Sequence, residues 1–394
     1  MIDNDRKNHK VKNITVVVSV ILAFVICFSA IYYGVYQKNR AREDGYCFID
    51  IDGNIVSKAY KDSYSFYDGV TMCFDEEPTV GQDEVYLINS DMKVLGGKKY
   101  IDTFIIWSSY NGETIFVVLE GNSIQILDKN METITSIPYN AHGIDKVSEV
   151  AGEVGENGLF PIKDYKSGLW GYMDINGNMV IEPKFSDAES FKGNFAVVGK
   201  WGEQGVIDSE GNYKIEPTFH RIELCQNGIA FAKRNKSDEC GLFIDMDGNV
   251  LSGENFIYNY YECALSEISE DIFPVKDSET GLIGFVDKNI KYQIEPKYYN
   301  AYNFSNGLAP VMNKDELWGY VDTTGKEVIP CQYEWADSFG EYDLASVEDV
   351  DGKWGLIRKD GSYYIEPSLP SIQPFACGYA KVRLKKGQKV EICK

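Results

Sequence analysis

Trp170-Gly171-Tyr172-Met173-Asp174-Ile175-Asn176-Gly177-Asn178, followed by Val180-Ile181-Glu182-Pro183, decides the reading of this chain because it keeps returning. It recurs as Gly205-Val206-Ile207-Asp208-Ser209-Glu210-Gly211 with Ile215-Glu216-Pro217, and as Gly284-Phe285-Val286-Asp287 with Ile294-Glu295-Pro296. Trp318-Gly319-Tyr320-Val321-Asp322-Thr323-Thr324-Gly325 leads to Ile329-Pro330, and Trp354-Gly355-Leu356-Ile357-Arg358-Lys359-Asp360-Gly361 leads to Ile365-Glu366-Pro367. A shortened copy, Gly241-Leu242-Phe243-Ile244-Asp245-Met246-Asp247-Gly248, lacks the proline. From Gly171 through Gly205, Gly241, Gly284 and Gly319 to Gly355 the steps are 34, 36, 43, 35 and 36 residues. A period of that length indicates a solenoid, a propeller or an array.

Each unit reads as three strands. The aromatic run and the Ile-Glu-Pro run are antiparallel partners joined by Asp-x-x-Gly. Asp suits the start of a tight turn, where its carboxylate accepts backbone N–H groups, and Gly suits the positive φ three residues later. Pro, which has no N–H for a ladder, is expected to end the second strand. A polar loop carrying Phe191, Phe304, Phe339 or Phe375 then leads to a third strand such as Phe195-Ala196-Val197-Val198. Weaker echoes at Asp50, Asn89 and Asp128 extend the pattern upstream, so about nine units fill the body.

The Trp-Gly-aromatic-x-Asp-x-x-Gly…Ile-x-Pro units resemble the WG-repeat family over about 168–383. The resemblance implies a β-repeat domain and brings no catalytic residues to transfer. Departures from its pattern are Cys240 and Ile283 in place of Trp, Ile290 in place of the turn Gly, and Trp201-Gly202 three residues ahead of Gly205.

Ile14 to Tyr36 is 23 residues without a charge. As a helix it spans about 34 Å, enough for a hydrocarbon core of about 30 Å. Tyr32, Tyr33 and Tyr36 cluster at its end, where an aromatic belt would sit. Phe28, three residues before the end of a cut after Ala30, fits a signal-peptidase site poorly, so an uncleaved anchor is expected. The division is then a cytoplasmic tail 1–13, a transmembrane helix 14–36, a linker 37–44, a degenerate β-repeat region 45–155 and a WG-repeat domain 156–394, with the body outside the cell.

The formal charge is −21; residues 1–42 carry +5, so 43–394 carry −26. Such a body is repelled by phosphate backbones, which excludes nucleic-acid partners. Asp50, Asp174 and Asp245 look like the starts of calcium loops, but their twelfth positions are Lys61, Phe185 and Phe256, where a bidentate Glu is needed. His9, His142 and His220 stand alone, and no nucleophile elbow, zinc-protease or phosphate-loop motif occurs. No catalytic, cofactor or metal site is assigned, and no cofactor is expected. Eight cysteines lie beyond the span without a CxxC spacing, which reads as buried free thiols. Trp170, Trp318 and Trp354 share one register and read as core; Trp107 and Trp335 lie outside it and are the candidates for exposure.

The expected fold is all-β: a transmembrane helix, then about nine three-stranded units in a propeller-like array, with an open superhelical array as the alternative. The expected role is a non-enzymatic binding or scaffolding module at the cell surface, with a protein or a cell-wall glycan as ligand. An envelope glycan hydrolase and a cytosol-facing interaction platform are the rivals.

Overall fold

The computed structural model describes residues 45–394 apart from 75–83, 98–99, 102–104, 111–112, 121–122, 139–152, 165, 201, 226–227, 239, 253–255, 258–271, 386–387 and 394. The expected tail, span and linker at 1–44 lie outside the described residues. Among the described residues, no helix is long and apolar enough to cross a membrane.

The body is all-β, with a single 3-10 turn at Glu341–Asp343 among the described residues. Among the described residues the strands form eight antiparallel sheets, seven of three or four strands and one of seven. One sheet serves for the rest: Asp187–Ala188, Phe195–Lys200, Glu203–Asp208 and Tyr213–Phe219 lie side by side in chain order. Asn300–Ala301 and Trp335–Ala336 open two later sheets in the same way. Strand Tyr46–Ile49 pairs with Ala380–Arg383, which pairs with Ser371–Ile372, so the two ends of the described body share one sheet.

Two expectations are corrected. The unit has four strands, because a short strand of two to four residues follows each Ile-x-Pro strand; the sheet is also out of phase with the sequence repeat. Phe195–Lys200, read as the third strand of one repeat, pairs with the strand carrying the next repeat's Gly205. The tight turn between those two strands makes them neighbours, whereas the chain crosses to a new sheet just after the Pro-containing strand.

Pro also does not end the strand. Met179–Phe185 continues through Pro183, and so do its counterparts, such as Glu327–Tyr333 through Pro330. At this point the ladder bulges: Trp170 opposes Phe185 and Tyr172 opposes Ile181, so a two-residue step on one strand meets a four-residue step on the other. The same shift occurs in the strands carrying Gly205, Gly284, Gly319 and Gly355. The bulged backbone lies directly over the glycine. A Cβ on Gly171 would stand 2.4 Å from Ile181 O and 2.8 Å from Pro183 N. Pro is tolerated because a bulge leaves its nitrogen without a ladder bond to make. The Trp-Gly and Ile-x-Pro elements thus recur together because each half of the bulge needs the other.

The turns follow the sequence reading. Asp174 Oδ1 accepts the N–H of Asn176 at 2.9 Å and of Asn178 at 2.8 Å, while Asn178 Nδ2 donates to Oδ2 at 3.0 Å. Asp50 and Asp245 repeat that arrangement, with Asn54 and Asn249 as partners. The upstream echoes are hairpin turns too: Asn89 accepts from Asp91 and Lys93, and Asp128 from Asn130 and Glu132. Where a glycine is missing, Met92, Met131 and Ile290 take positive φ values of 58°, 65° and 57°.

The core lies between neighbouring sheets. One cluster joins Leu308, Trp318, Tyr320 and Tyr333 to Ala336, Ala345 and Val347 of the next sheet. Tyr172 and Tyr320 are fully buried, and their hydroxyls donate to Glu189 O at 2.8 Å and Asp337 O at 2.7 Å. Each buries a large apolar ring worth about 2 kcal/mol while satisfying its polar tip across a sheet junction.

Candidate functional site

Two polar clusters arise only from the stacking of sheets. The first gathers Glu153 before strand Leu159–Lys163, Asp187, Glu189 and Lys192 around the short strand Asp187–Ala188, and Arg221 and Glu223 in Arg221–Leu224. Three successive sheets contribute. Glu223 lies 3.7 Å from Lys192 Nζ and 3.6 Å from Arg221 Nη2, and Lys192 Nζ also donates to Leu224 O at 3.3 Å. Glu189 is pushed up to about 7, first by burial of its carboxyl and then by Glu223 and Asp187, with Lys192 and Arg221 opposing. Glu189 is nevertheless an exposed residue, so the groups around its carboxyl crowd it without enclosing it. Burial raises Asp187 and Glu153 as well, and pushes the neighbouring Cys225 thiol up to about 12.

The second cluster sits where the two ends of the body meet. Lys381 is 8% exposed. Its ammonium lies 3.0 Å from Asp62 Oδ1, donates to Ser63 O, and stands 4.1 Å from the centre of the Tyr46 ring. The Arg383 guanidinium lies 5.5 Å from the same ring. Burial lowers the Lys381 pKa against the attraction of Asp62. This is the arrangement expected of a buried cation: a carboxylate, a carbonyl and an aromatic face share its charge.

A cleft of about 430 Å³ is lined by Lys184, Lys200, Gly211, Asn212, Tyr213 and Glu216. Lys184 Nζ donates to Gly211 O at 3.0 Å, and Lys297 repeats the link to Gly325 O at 3.4 Å. These lysines therefore stitch one repeat to the next.

The residues singled out in the sequence do not converge on a site. Asp50, Asp174 and Asp245 spend their carboxylates on their own turns. Trp318 and Trp354 are buried at 3% and 5%, and Trp170 is half-buried under Lys163. Trp335 corrects the expectation of exposure: it packs 5.7 Å from Trp318, and its Nε1 donates to Asp337 Oδ1 at 2.8 Å. The side chain of Trp107, together with His9 and His142, lies outside the described residues, while His220 is exposed. The described cysteines Cys47, Cys225, Cys240, Cys331, Cys377 and Cys393 are free thiols. Among the described residues, no group of three or more His, Cys, Asp or Glu is placed to hold a metal ion.

Residues 170–200, 205–236, 283–316, 318–354 and 354–387 match the model of the WG containing repeat, and the chain belongs to that repeat family. No curated protein matches it in sequence. Solved structures similar to it include BamB from Moraxella catarrhalis, at 9% identity over 82% of this chain and 96% of that one, with a TM-score of 0.39. AztD from Citrobacter koseri is 14% identical in its apo form over 87% of this chain and 99% of that one, with a TM-score of 0.38. The C-terminal WD40 domain of Sif2 is 11% identical over 66% and 80%, with a TM-score of 0.35.

Proposed function

We propose that the body is a non-enzymatic binding and scaffolding module, a propeller-like ring of about nine units displayed at the cell surface by the apolar segment Ile14–Tyr36. The pairing of Tyr46–Ile49 with Ala380–Arg383 supports the ring, since it joins the ends of the described body. The observation that carries the function is how the polar groups are used. Turn carboxylates and stitching lysines are committed to the chain's own backbone, which leaves the acidic excess of the Glu153, Asp187, Glu189 and Glu223 cluster, partly offset by Lys192 and Arg221, to face a partner. On a body of −26, that partner is a basic protein or a cationic stretch of cell-wall glycan.

Capture of envelope proteins and cell-wall fragments by residues 43–394 tests this reading. Retention that falls with salt and with Glu189→Gln plus Glu223→Gln is expected; retention indifferent to both sinks it. Labelling of Cys377 by an impermeant thiol reagent on intact cells tests the display, and labelling only after lysis places the body inside.

One observation favours a second reading. A carboxyl raised to about 7 beside another carboxylate has the ionisation that the general acid of a glycoside hydrolase needs. Release of soluble sugars from cell-wall glycan, abolished by Glu189→Gln, would establish it; no release at high protein concentration removes it.

A further inference from the structure

Within the array, one contact recurs between neighbours. The isoleucine of one sheet's edge strand lies against the turn glycine of the next. A Cβ on Gly177 would stand 3.1 Å from Ile137, one on Gly211 3.0 Å from Ile181, one on Gly325 3.1 Å from Ile294 and one on Gly361 3.6 Å from Ile329. At the seam the turn glycine is Gly53, and the side chain against it is Ile392, at 3.2 Å. Ile392 belongs to a segment outside every repeat.

That segment is tied down along the last edge strand, Tyr363–Leu369. Gln388 Nε2 donates to Ser368 O at 3.0 Å, and Cys393 N donates to Tyr364 O at 2.8 Å. The order of these contacts runs the segment antiparallel to the strand, covering backbone groups that an edge otherwise leaves open. Arg358 Nη2 donates to Cys393 O at 2.8 Å, and its guanidinium lies 5.1 Å from the Tyr364 ring centre. The Tyr364 hydroxyl in turn donates to Ile51 O, in the first turn of the body. Arg358 and Tyr364 thereby hold the segment and the first turn together.

We propose that Gln388–Cys393 is a clasp: it fills at the seam the place that a neighbouring repeat's isoleucine fills elsewhere, and keeps the Tyr46–Ile49 end of the ring seated. Elsewhere the chain itself links adjacent sheets, so a lost contact reopens only a short loop. At the seam no covalent link limits the opening, and the entropy released by separating the ends is largest there. The inference rests on the ring reading, and the experiment separates the two.

Hydrogen exchange is followed at 46–56 and, for comparison, at 203–219 in the intact chain, a chain ending at residue 387, and Ile392→Ser. Protection of both stretches in the intact chain is expected, with at least tenfold faster exchange at 46–56 alone in the two variants. If the truncated chain loses protection throughout, Ile392→Ser decides, again with tenfold at 46–56 expected. Unchanged protection at 46–56 in both variants overturns the clasp and leaves the ring standing. Fast exchange at 46–56 in the intact chain overturns both.

Discussion

The sheet formed by Ile105–Tyr110, Glu113–Glu120, Ser123–Asp128 and Thr133–Pro138 and the sheets of the strict repeats are built on the same Asp turn but differ one step further along. In the strict repeats the strand three residues before the Asp carries Gly, and its partner bulges over it. Gln125 stands at that position in the upstream sheet, and there the ladder keeps its register: Gln125 opposes Ser136 and Ile126 opposes Thr135, the one shift falling between Ile126 and Leu127 beside the turn, as it also does in the strict repeats. The Gln125 side chain donates to Ser123 Oγ and Ser136 Oγ at 2.7 Å each. Glycine and bulge disappear together, while the turn and the inter-sheet isoleucine, here Ile137 on Gly177, are kept. The turn and the packing are therefore the unit's essential parts. The Trp-Gly bulge is a local elaboration that demands its own sequence.

Substitutions on the two sides of this difference test it. Gly319→Ala forces a Cβ to within 2.6 Å of Ile329 O and Cys331 N, backbone atoms that cannot turn aside. A loss of about 3 kcal/mol in urea unfolding is expected, as for overpacking at its upper end. Gln125→Gly, at the matching place without a bulge, should cost only about 1 kcal/mol. Equal losses at the two sites would remove the link between glycine and bulge.

At the turn the contrast reverses. Gly177→Ala places a side chain at φ 85° against Ile137, and a loss of about 1–2 kcal/mol in thermal unfolding is expected. Met131→Gly relieves the same left-handed conformation but surrenders the partial packing of Met131 on its core, so a net change below about 0.5 kcal/mol is expected.

Titration separates the turns from the shared cluster. Asn54 and Asn249 hold the carboxyls of Asp50 and Asp245 below the usual aspartate value. Their contribution is present above about 3.9 and is lost as pH falls through the lowered folded value. Glu189 has the opposite sign. Its contribution is full below about 4.3 and is lost as pH rises through about 7, so Glu189→Gln should flatten the fall in melting temperature between those values. A parallel pH profile in the variant would place the strain on another group.

Much of the fold was legible because its determinants are local. Asp174 and Gly177 fix a turn within four residues, so the hairpins were readable at Asp50, Asn89 and Asp128 even where the glycine was gone. The four-stranded sheet was not legible, since Asp187–Ala188 is too short to show a period of two. Trp335 also misled: its place outside the Trp-Gly register says nothing of Trp318, which reaches it from the preceding sheet.

By itself, then, the sequence determined the repeat, its turns, its all-β class and the acidic charge of the body, all of which are written within about 35 residues at a time. The tertiary structure alone decided what lies across junctions. Glu153, Glu189 and Glu223 share a field, Lys381 lies against Asp62, and Ile392 covers Gly53 although some 340 residues separate them. Local chemistry repeats along the chain and can be read there. Electrostatic crowding and closure depend on which sheets become neighbours, and only the packing of buried apolar faces chooses that.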